Sequence, residues 1–533
     1  MSASKNMPMY ALRTGERRRS TVLPIVLIIG FIVVALLVGA AAGVGLALYE
    51  VALVVGGFIA AAAWIGRNTW MAQGSVGIFW SAIVLTFGTA FISTFSPRPI
   101  NGLMELWLLA LAGLAVASYV EWAPRCSVLK WSTALFLIFL TFAGISSVYG
   151  GSKPIAAVYQ FLYDLKFPFM LLLGFRVGWR ESTERGFWRL TNWLWLPLII
   201  VVAWQLLSPS SFSAIAVGVT DKLEAKYGNP FIPGLRARAT GPFPHSGHLA
   251  LFAVFFASIC AIRMISQGLR SAGFMTTVAF LGYLALTLLS GQRQELAALL
   301  MIIGAMFIVY RIRSVTSAAI GVTMASVLGL IVVIALLGHD QVERLKDEWG
   351  FGSAMSPLTA PRTVFFWDSI KLADKAFPFG TGLGTFAGEG ARLFDHSYYD
   401  SLGYGRFWWY KLQLFLVDTY WPNFIAEAGW FGALAFFLIP VLIVLYAFSR
   451  SWRESDPFAK RLWAMAFAGN AIALVVSLTS PLYSDPNFVA VILMMFGMAY
   501  GLTYPAAEQE GTSKRGGVGR GIVNAATVSR ARI

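Results

Sequence analysis

The chain has 533 residues, of which 57% are hydrophobic and 13% are charged, and its formal net charge is +15. Too few side chains are charged to cover the surface of a soluble protein of this length, so the composition predicts that a lipid bilayer is the main solvent. The basic residues are dispersed between apolar runs and form no stripe with interleaved aromatic rings, so no nucleic-acid partner is expected. The two cysteines, Cys126 and Cys260, offer no disulfide framework.

Residues 1–21 form a basic N-terminal segment. Its arginines, which include Arg13 and Arg17, lead into an apolar run that is longer than a signal-peptide core and lacks a clear cleavage site. This pattern predicts a signal anchor that stays in the membrane.

By the rule of roughly 20 residues per span, about 14 apolar runs are long enough to cross a bilayer. Each is expected to be an α-helix, because a backbone in lipid must satisfy its own hydrogen bonds and the runs lack the alternation of barrel strands. The predicted fold is therefore an all-α polytopic integral membrane protein. The predicted spans are Val22 to Gly39, Leu46 to Ile65, Val76 to Ile92, Leu103 to Val120, Leu129 to Val148, Ala156 to Val177, Leu190 to Leu207, Leu249 to Ile265, Phe274 to Leu289, Leu296 to Tyr310, Ala318 to Leu337, Phe424 to Phe448, Leu462 to Leu478 and Phe488 to Thr503.

Positive charge alternates between the segments that join these spans, and short cytoplasmic loops are the ones that retain Lys and Arg. The pattern predicts that both termini are cytoplasmic and that the two longest loops, residues 208–247 and 339–422, are extracytoplasmic. The tail, residues 505–533, is rich in Gly, Ser and Arg and is predicted to be disordered.

The first long loop carries two arginines, Arg236 and Arg238, and two histidines, His245 and His248, just before the chain re-enters the membrane. A guanidinium group is a forked, permanent cation that suits phosphate or carboxylate. The alternative is an anchor for lipid headgroups.

Two further arginines are predicted on the same side. Arg293 interrupts an apolar hairpin, and its alternative role is an ion pair with Glu295 or Glu427. Arg362 follows Pro361 at the start of an amphipathic stretch, where free helix amides and the side chain together favour an anion. A plain loop helix with a solvated arginine explains Arg362 equally well.

The second long loop also contains glycines, carboxylates and aromatic residues. Its Gly380-Thr-Gly382-Leu-Gly384 segment is predicted to be a flexible turn beside the membrane, because no βαβ unit surrounds it as a dinucleotide site requires. Downstream, His396, Trp408 and Trp409 offer a titratable group and flat faces that could stack on a sugar, although aromatic residues at headgroup level are the alternative.

Other chemistry finds little support in the sequence. No cluster has zinc-ligand spacing and there is no Walker loop or serine elbow, so we expect no metal and no cofactor. Asp164 and Lys166 fall within the sixth predicted span, and two positions apart they do not share a helix face. A structural partner elsewhere in the bundle is the expectation for each, with a proton or ion path as the alternative.

The ordered motifs of residues 235–435 resemble the bacterial O-antigen ligase and Wzy-type polysaccharide polymerase superfamily. The resemblance is carried by the segments Arg238-Ala-Thr-Gly241-Pro-Phe243, Ser290-Gly-Gln-Arg293, the Arg362-led helix to Ala376, Pro378-Phe-Gly380-Thr-Gly382-Leu-Gly384 and Glu427-Ala-Gly429-Trp-Phe-Gly432. The closing helix of the family begins with a His-Asn pair, whereas the corresponding positions here are Asp418 and Thr419. The resemblance implies a basic N-terminus (1–21), an N-terminal transmembrane bundle (22–207), a ligase- or polymerase-like core (208–435), C-terminal helices (436–504) and the tail.

The resemblance also implies a function on the periplasmic face of the bacterial inner membrane: transfer of glycan from a polyprenyl-diphosphate-linked donor to a hydroxyl of an acceptor glycan. Arg236, Arg238, Arg293 and Arg362 would stabilise the diphosphate without a metal. Asp418 or one of the histidines His396, His245 and His248 would be the catalytic base. His245, His248, Trp408 and Trp409 would contact the acceptor. The expected protein is a polymerase of lipid-linked repeat units for exopolysaccharide or O-antigen, with other polysaccharide assembly proteins as further partners. The alternatives are a ligase that transfers finished glycan to lipid A core and a flippase for lipid-linked oligosaccharides.

Overall fold

The computed structural model describes residues 76–95, 103–216, 229–232, 235, 237–311 and 361–504. Within these ranges the regular secondary structure is entirely helical. The helices are α1 (Val76–Phe95), α2 (Leu103–Trp122), α3 (Ser127–Tyr149), α4 (Pro154–Asp164), α5 (Lys166–Gly174), α6 (Glu181–Leu207), α7 (Pro209–Ile215), α8 (Ser246–Gln267), α9 (Leu269–Ala272), α10 (Phe274–Ser290), α11 (Arg293–Arg311), α12 (Pro361–Lys375), α13 (Glu389–Phe394), α14 (Ser397–Ser401), α15 (Trp408–Lys411), α16 (Trp421–Arg453), α17 (Pro457–Ser477) and α18 (Pro486–Thr503), with 3₁₀ turns at Tyr404–Arg406 and Leu482–Ser484.

The helices confirm an all-α protein that is built to lie in a membrane. Eight helical segments of the described ranges are long and apolar enough to cross a bilayer, and three more predicted spans are shorter apolar helices. The predicted spans Val22 to Gly39, Leu46 to Ile65 and Ala318 to Leu337 lie outside the described residues, so the total of 14 stays a prediction. The same is true of the basic N-terminus and the tail.

The sixth predicted span is two helices, because α4 ends at Asp164 and α5 begins at Lys166. The Lys166 ammonium lies 3.0 Å from a carboxylate oxygen of Glu105 on α2 and 3.7 Å from the ring centre of Tyr163. Asp164 is buried, and its Oδ1 accepts a hydrogen bond from Gln160 at 3.0 Å. Lys166 thus has a partner on another helix, as expected, whereas the one partner of Asp164 among the described residues is on its own helix α4.

Two helices of the bundle approach so closely that only glycine fits between their backbones. A Cβ atom at Gly174, the last residue of α5, would overlap the carbonyl oxygen of Met494 on α18. A Cβ atom at Gly497 on α18 would lie 2.5 Å from the backbone nitrogen of Phe175. Small residues allow such contacts between membrane helices, where dispersion between closely packed backbones stabilises the pair.

The substitution Gly174→Ala is therefore expected to lower the free energy of unfolding by about 2 kcal/mol, because the backbones of α5 and α18 must separate. Gly113→Ala is the matched control, since no atom lies within 4 Å of a Cβ placed at Gly113. We expect the control to leave stability unchanged or to raise it by up to about 1 kcal/mol, as alanine is the better helix former. Equilibrium unfolding in detergent micelles measures both, and equal values for the two variants would contradict the close packing.

The described part of the second long loop, residues 361–416, folds into a small unit that we call the cap subdomain. It has its own apolar cluster of buried side chains, among them Phe365, Phe386, Tyr399, Tyr404 and Trp409. The Tyr404 hydroxyl donates to Asp368 at 3.0 Å, and the Tyr399 hydroxyl accepts from the backbone of Ala387 at 2.8 Å. The cap subdomain is thus an ordered structure and not an extended loop.

Residues 380–384 form a turn, as predicted, but the turn is buried and hydrogen-bonded to α16, so the prediction that it is flexible is wrong. The turn fastens the cap subdomain to α16. Gly429 has a φ of 68°, which interrupts α16. The freed carbonyl groups of Ala426 and Glu427 accept hydrogen bonds from the backbone nitrogens of Thr381 and Gly382, at 2.8 and 2.9 Å. Gly380 has a φ of 87°, and a Cβ there would lie 2.5 Å from the nitrogen of Gly429. The glycines of both motifs are therefore required for this contact.

The Glu427 side chain also attaches the cap subdomain to α16, through the backbone that follows the turn. It is 1% exposed, and its Oε1 accepts hydrogen bonds from the backbone nitrogens of Thr385 at 2.8 Å and Phe386 at 3.0 Å. With the Asn423 amide nitrogen turned toward it, Asn423 donates to Glu427 Oε2 at 2.7 Å. Glu427 is thus a structural clamp, which does not favour the ion pair with Arg293 considered from the sequence.

Candidate functional site

The end of the first long loop is bound to the hairpin between α10 and α11. The backbone nitrogen of Ala239 donates to the carbonyl oxygen of Leu289 at 3.0 Å, and the Asn229 amide donates to the carbonyl oxygens of Leu288 and Leu289 at 2.9 Å each. The hairpin turns at Gly291, whose φ is 69°. Because a Cβ at Gly291 would lie 3.1 Å from Cγ of Arg238, the Arg238 side chain crosses directly over the turn.

A buried glutamine on α6 fixes the rest of this motif. Gln205 Oε1 accepts hydrogen bonds from the backbone nitrogens of Thr240 at 2.9 Å and Gly241 at 3.0 Å. Gly241 has a φ of 58°, which a residue with a side chain rarely adopts. The Arg-x-x-Gly spacing therefore serves to place Arg238 beside the hairpin that carries Arg293.

Two further contacts bring the hairpin against other helix ends. Gln292 donates to the hydroxyl of Ser246 at 2.8 Å, at the start of α8. The hydroxyl of Thr479, just after α17, donates to Gln294, and Gln294 donates to Glu295 Oε1 at 3.2 Å. The segments that contain Arg238 and Arg293 therefore meet at one end of the bundle.

Glu295 lies in the first turn of α11, four positions after the Gly291 turn over which the Arg238 side chain crosses. It is 2% exposed, and the guanidinium charges of Arg362 and Arg238 both act on its carboxylate. Among the residues that the structure describes, none donates a hydrogen bond to its Oε2. We call Arg238, Arg293, Glu295 and Arg362 the arginine cluster.

The helix that Arg362 begins is confirmed, with Pro361 as its first residue. Arg362 Nε donates to Asp418 Oδ2 at 2.7 Å, and its Nη2 lies 3.4 Å from Asp418 Oδ1. Two residues that the sequence assigned to different roles, diphosphate binding and proton acceptance, are thus bound to each other. The Asp418 carboxylate is therefore engaged by a guanidinium group in the described structure.

The three histidines of the described loops have different surroundings. His245 precedes α8, and its Nδ1 accepts a hydrogen bond from the backbone nitrogen of Gly247 at 3.0 Å. His248 Nε2 lies 3.3 Å from a carboxylate oxygen of Asp485, the residue that caps α18. His396 Nε2 donates to the carbonyl oxygen of Arg392 at 2.9 Å, among the rings of Tyr399 and Tyr410.

Two pKa shifts follow from these environments. Burial acts to raise the pKa of Asp485, but the pKa lies below its ordinary value because His248 and the backbone nitrogen of Asn487 hydrogen-bond to the carboxylate. In the cap subdomain, the pKa of Tyr410 is raised to about 12. The causes are burial and the hydrogen bond that the Tyr410 hydroxyl donates to Asp400. The Asp485 carboxylate therefore orients the His248 imidazole.

The two candidate aromatic platforms differ in exposure. Trp409 is fully buried in the apolar cluster of the cap subdomain, with its ring stacked on Phe407 at a centroid distance of 5.0 Å. It has no face left for a sugar, so the prediction that Trp409 contacts the acceptor does not fit this structure. Trp408 is 48% exposed and keeps that option. Arg236 lies outside the described residues, and its role stays a prediction.

The sequence pattern does not indicate every residue of this site. It marks Glu295 only as an ion-pair partner of Arg293, and it does not single out Asp485 or Gln205. A carboxylate two positions after an arginine, at the start of an apolar span, is the one local signal that favours Glu295.

No protein family model matches the sequence, and no curated protein matches it significantly. The fold and the helix lengths define the chain as an α-helical, membrane-embedded protein. Any narrower assignment depends on the arginine cluster itself.

Proposed function

We propose that this protein is a polymerase that transfers glycan from a polyprenyl-diphosphate-linked donor to a hydroxyl of an acceptor glycan, on the periplasmic face of a bacterial inner membrane. The observation that carries the proposal is that the Arg238 side chain lies over Gly291, in the hairpin that carries Arg293, so two of the predicted arginines meet although they are 55 positions apart. Permanent cations gathered at the end of a membrane bundle suit an anion that is held at the membrane surface by a lipid tail.

The chemistry assigned to the cluster is stabilisation of the leaving group. As the bond between the anomeric carbon and the diphosphate oxygen breaks, negative charge grows on the diphosphate. Forked guanidinium groups in a site of low dielectric stabilise that charge more strongly in the transition state than in the ground state, without a metal ion. Direct displacement by the acceptor oxygen inverts the configuration at the anomeric carbon.

The pair of Arg362 and Asp418 supports an exchange of partners in this proposal. In the described structure the guanidinium is held by the carboxylate at 2.7 Å. A diphosphate carries more charge than a carboxylate and is the stronger competitor for the fork. Binding of the donor is then expected to release Asp418 from Arg362.

A strain that lacks the gene tests the proposal through the length of its glycan and the anchor that carries it. Single repeat units on the normal anchor are the expected result for a polymerase. Full-length glycan that remains on polyprenyl diphosphate would overturn the polymerase assignment in favour of a ligase. Unextended lipid-linked units that remain on the cytoplasmic side would overturn it in favour of a flippase.

A further inference from the structure

We propose that Glu295 is the group that accepts the proton of the acceptor hydroxyl. This inference rests on the proposed function, and it assigns the proton acceptor of the same site. The sequence offers Asp418, His396, His245 and His248 for this role, because the histidine found in the resembling family is replaced here by Asp418.

The burial of Glu295 and its free oxygen are the first support. The side chain is 2% exposed, and only one of its oxygens, Oε1, accepts a hydrogen bond from a described residue, Gln294 at 3.2 Å. Its Oε2 is without a donor among the described residues. A buried carboxylate oxygen without a donor is costly to maintain, so a hydroxyl that donates to it on binding gains a strong, charge-assisted hydrogen bond.

The position of Glu295 among the arginines is the second support. Glu295 lies in the first turn of α11, four positions after the Gly291 turn over which the Arg238 side chain crosses. It therefore lies next to the region assigned to the donor diphosphate, where the acceptor hydroxyl must approach the anomeric carbon. A carboxylate within hydrogen-bond reach of that hydroxyl is a suitable base.

The other candidates are engaged elsewhere in the described structure. Both oxygens of Asp418 face Arg362, and His245 Nδ1 caps α8. His396 belongs to the interior of the cap subdomain, where its ring lies against Tyr399 and Tyr410. His248 is oriented by Asp485 at the start of α18. None of these four residues is a buried carboxylate with an oxygen to which no described residue donates, as Glu295 is.

In the transfer step, the acceptor oxygen forms a bond to the anomeric carbon while the bond from that carbon to the diphosphate oxygen breaks. The electron pair of the broken bond leaves with the diphosphate, which the arginines stabilise. The hydroxyl proton passes to Glu295 Oε2 and later to water.

The test uses purified full-length protein in liposomes, with a polyprenyl-diphosphate-linked repeat unit as donor and acceptor. Glu295→Gln is expected to lower kcat at least about 100-fold with little change in KM for the donor, which is the loss typical of a missing general base. Glu295→Asp, which retains a carboxylate that is one methylene shorter, is expected to have an intermediate kcat. Polyprenyl diphosphate without glycan is the probe for donor binding, and the Gln variant should bind it at least as tightly as the wild type.

The matched control is Glu105→Gln, another carboxylate in the first turn of a membrane helix, which pairs with Lys166. It should retain the wild-type kcat. If the wild type extends the donor but Glu295→Gln keeps its kcat, or loses only donor affinity, the proton-acceptor assignment is overturned and the proposed function stands. If the wild-type protein does not extend the donor at all, the proposed function itself fails.

Discussion

Replacing Arg238 by lysine is expected to reduce glycan transfer about 100-fold, a loss comparable to the removal of one preorganised donor from an anion-stabilising site. The Arg238 side chain is held over Gly291, and the backbone on either side of it is fixed by Leu289 and Gln205. Lysine keeps the charge but presents a compact ammonium in place of a planar fork, so it cannot reproduce the bidentate geometry in which a guanidinium binds two oxygens of the diphosphate. The measurement is the initial rate of donor extension in liposomes.

Arg392→Lys is the control for this substitution. Arg392 belongs to the cap subdomain, where its guanidinium pairs with Glu389 at 2.7 Å, and it is not part of the arginine cluster. The control is expected to extend the donor at the wild-type rate. Wild-type rates in Arg238→Lys, in protein that is inserted normally in the membrane, would remove the basis for the diphosphate assignment.

Replacing Glu427 by alanine is expected to lower the free energy of unfolding by about 4 kcal/mol, because two buried backbone N–H groups lose their common acceptor. The donors are the nitrogens of Thr385 and Phe386, which bind Glu427 Oε1. The cap subdomain is attached to α16 at this point, so limited proteolysis should also cut residues 377–416 more rapidly. Equilibrium unfolding in detergent micelles gives the energy.

Glu427→Gln separates the loss of the acceptor from the loss of charge. Its amide oxygen can still accept from both nitrogens, so we expect a loss of only about 1 kcal/mol. The structural clamp is contradicted if the alanine variant is as stable as the glutamine variant and its cap subdomain resists protease equally well.

The positions of many helices can be predicted from local features of the sequence. Residues 274–289 and 296–310 were predicted as spans from their apolar length alone, and α10 and α11 extend over them. A backbone in lipid has no alternative to internal hydrogen bonds, so a long apolar run specifies a helix without reference to the rest of the fold. The helix that begins at Pro361 and the turn at Gly380 were predicted for similarly local reasons.

The contacts of the arginine cluster could not be predicted in this way. Whether Asp418 is a free base or a partner of Arg362 depends on where residues 56 positions apart come to lie. The burial of Trp409 depends on Phe365, Tyr404 and Phe407, which close around it only after the cap subdomain has folded. Sequence patterns give residue types and spacing, but they do not give the neighbours that long-range packing supplies.

The sequence by itself determined that the chain is an all-α membrane protein and that Arg238 and Arg293 lie near the ends of predicted spans. Apolar length and charge placement decide these properties, and both are local. Only the tertiary structure decided that Glu427 is a clamp and that Glu295 is buried near the turn that Arg238 crosses, with one oxygen to which no described residue donates. The physical reason is that burial and electrostatic environment are properties of segments brought together in space, and no single segment of the chain carries them.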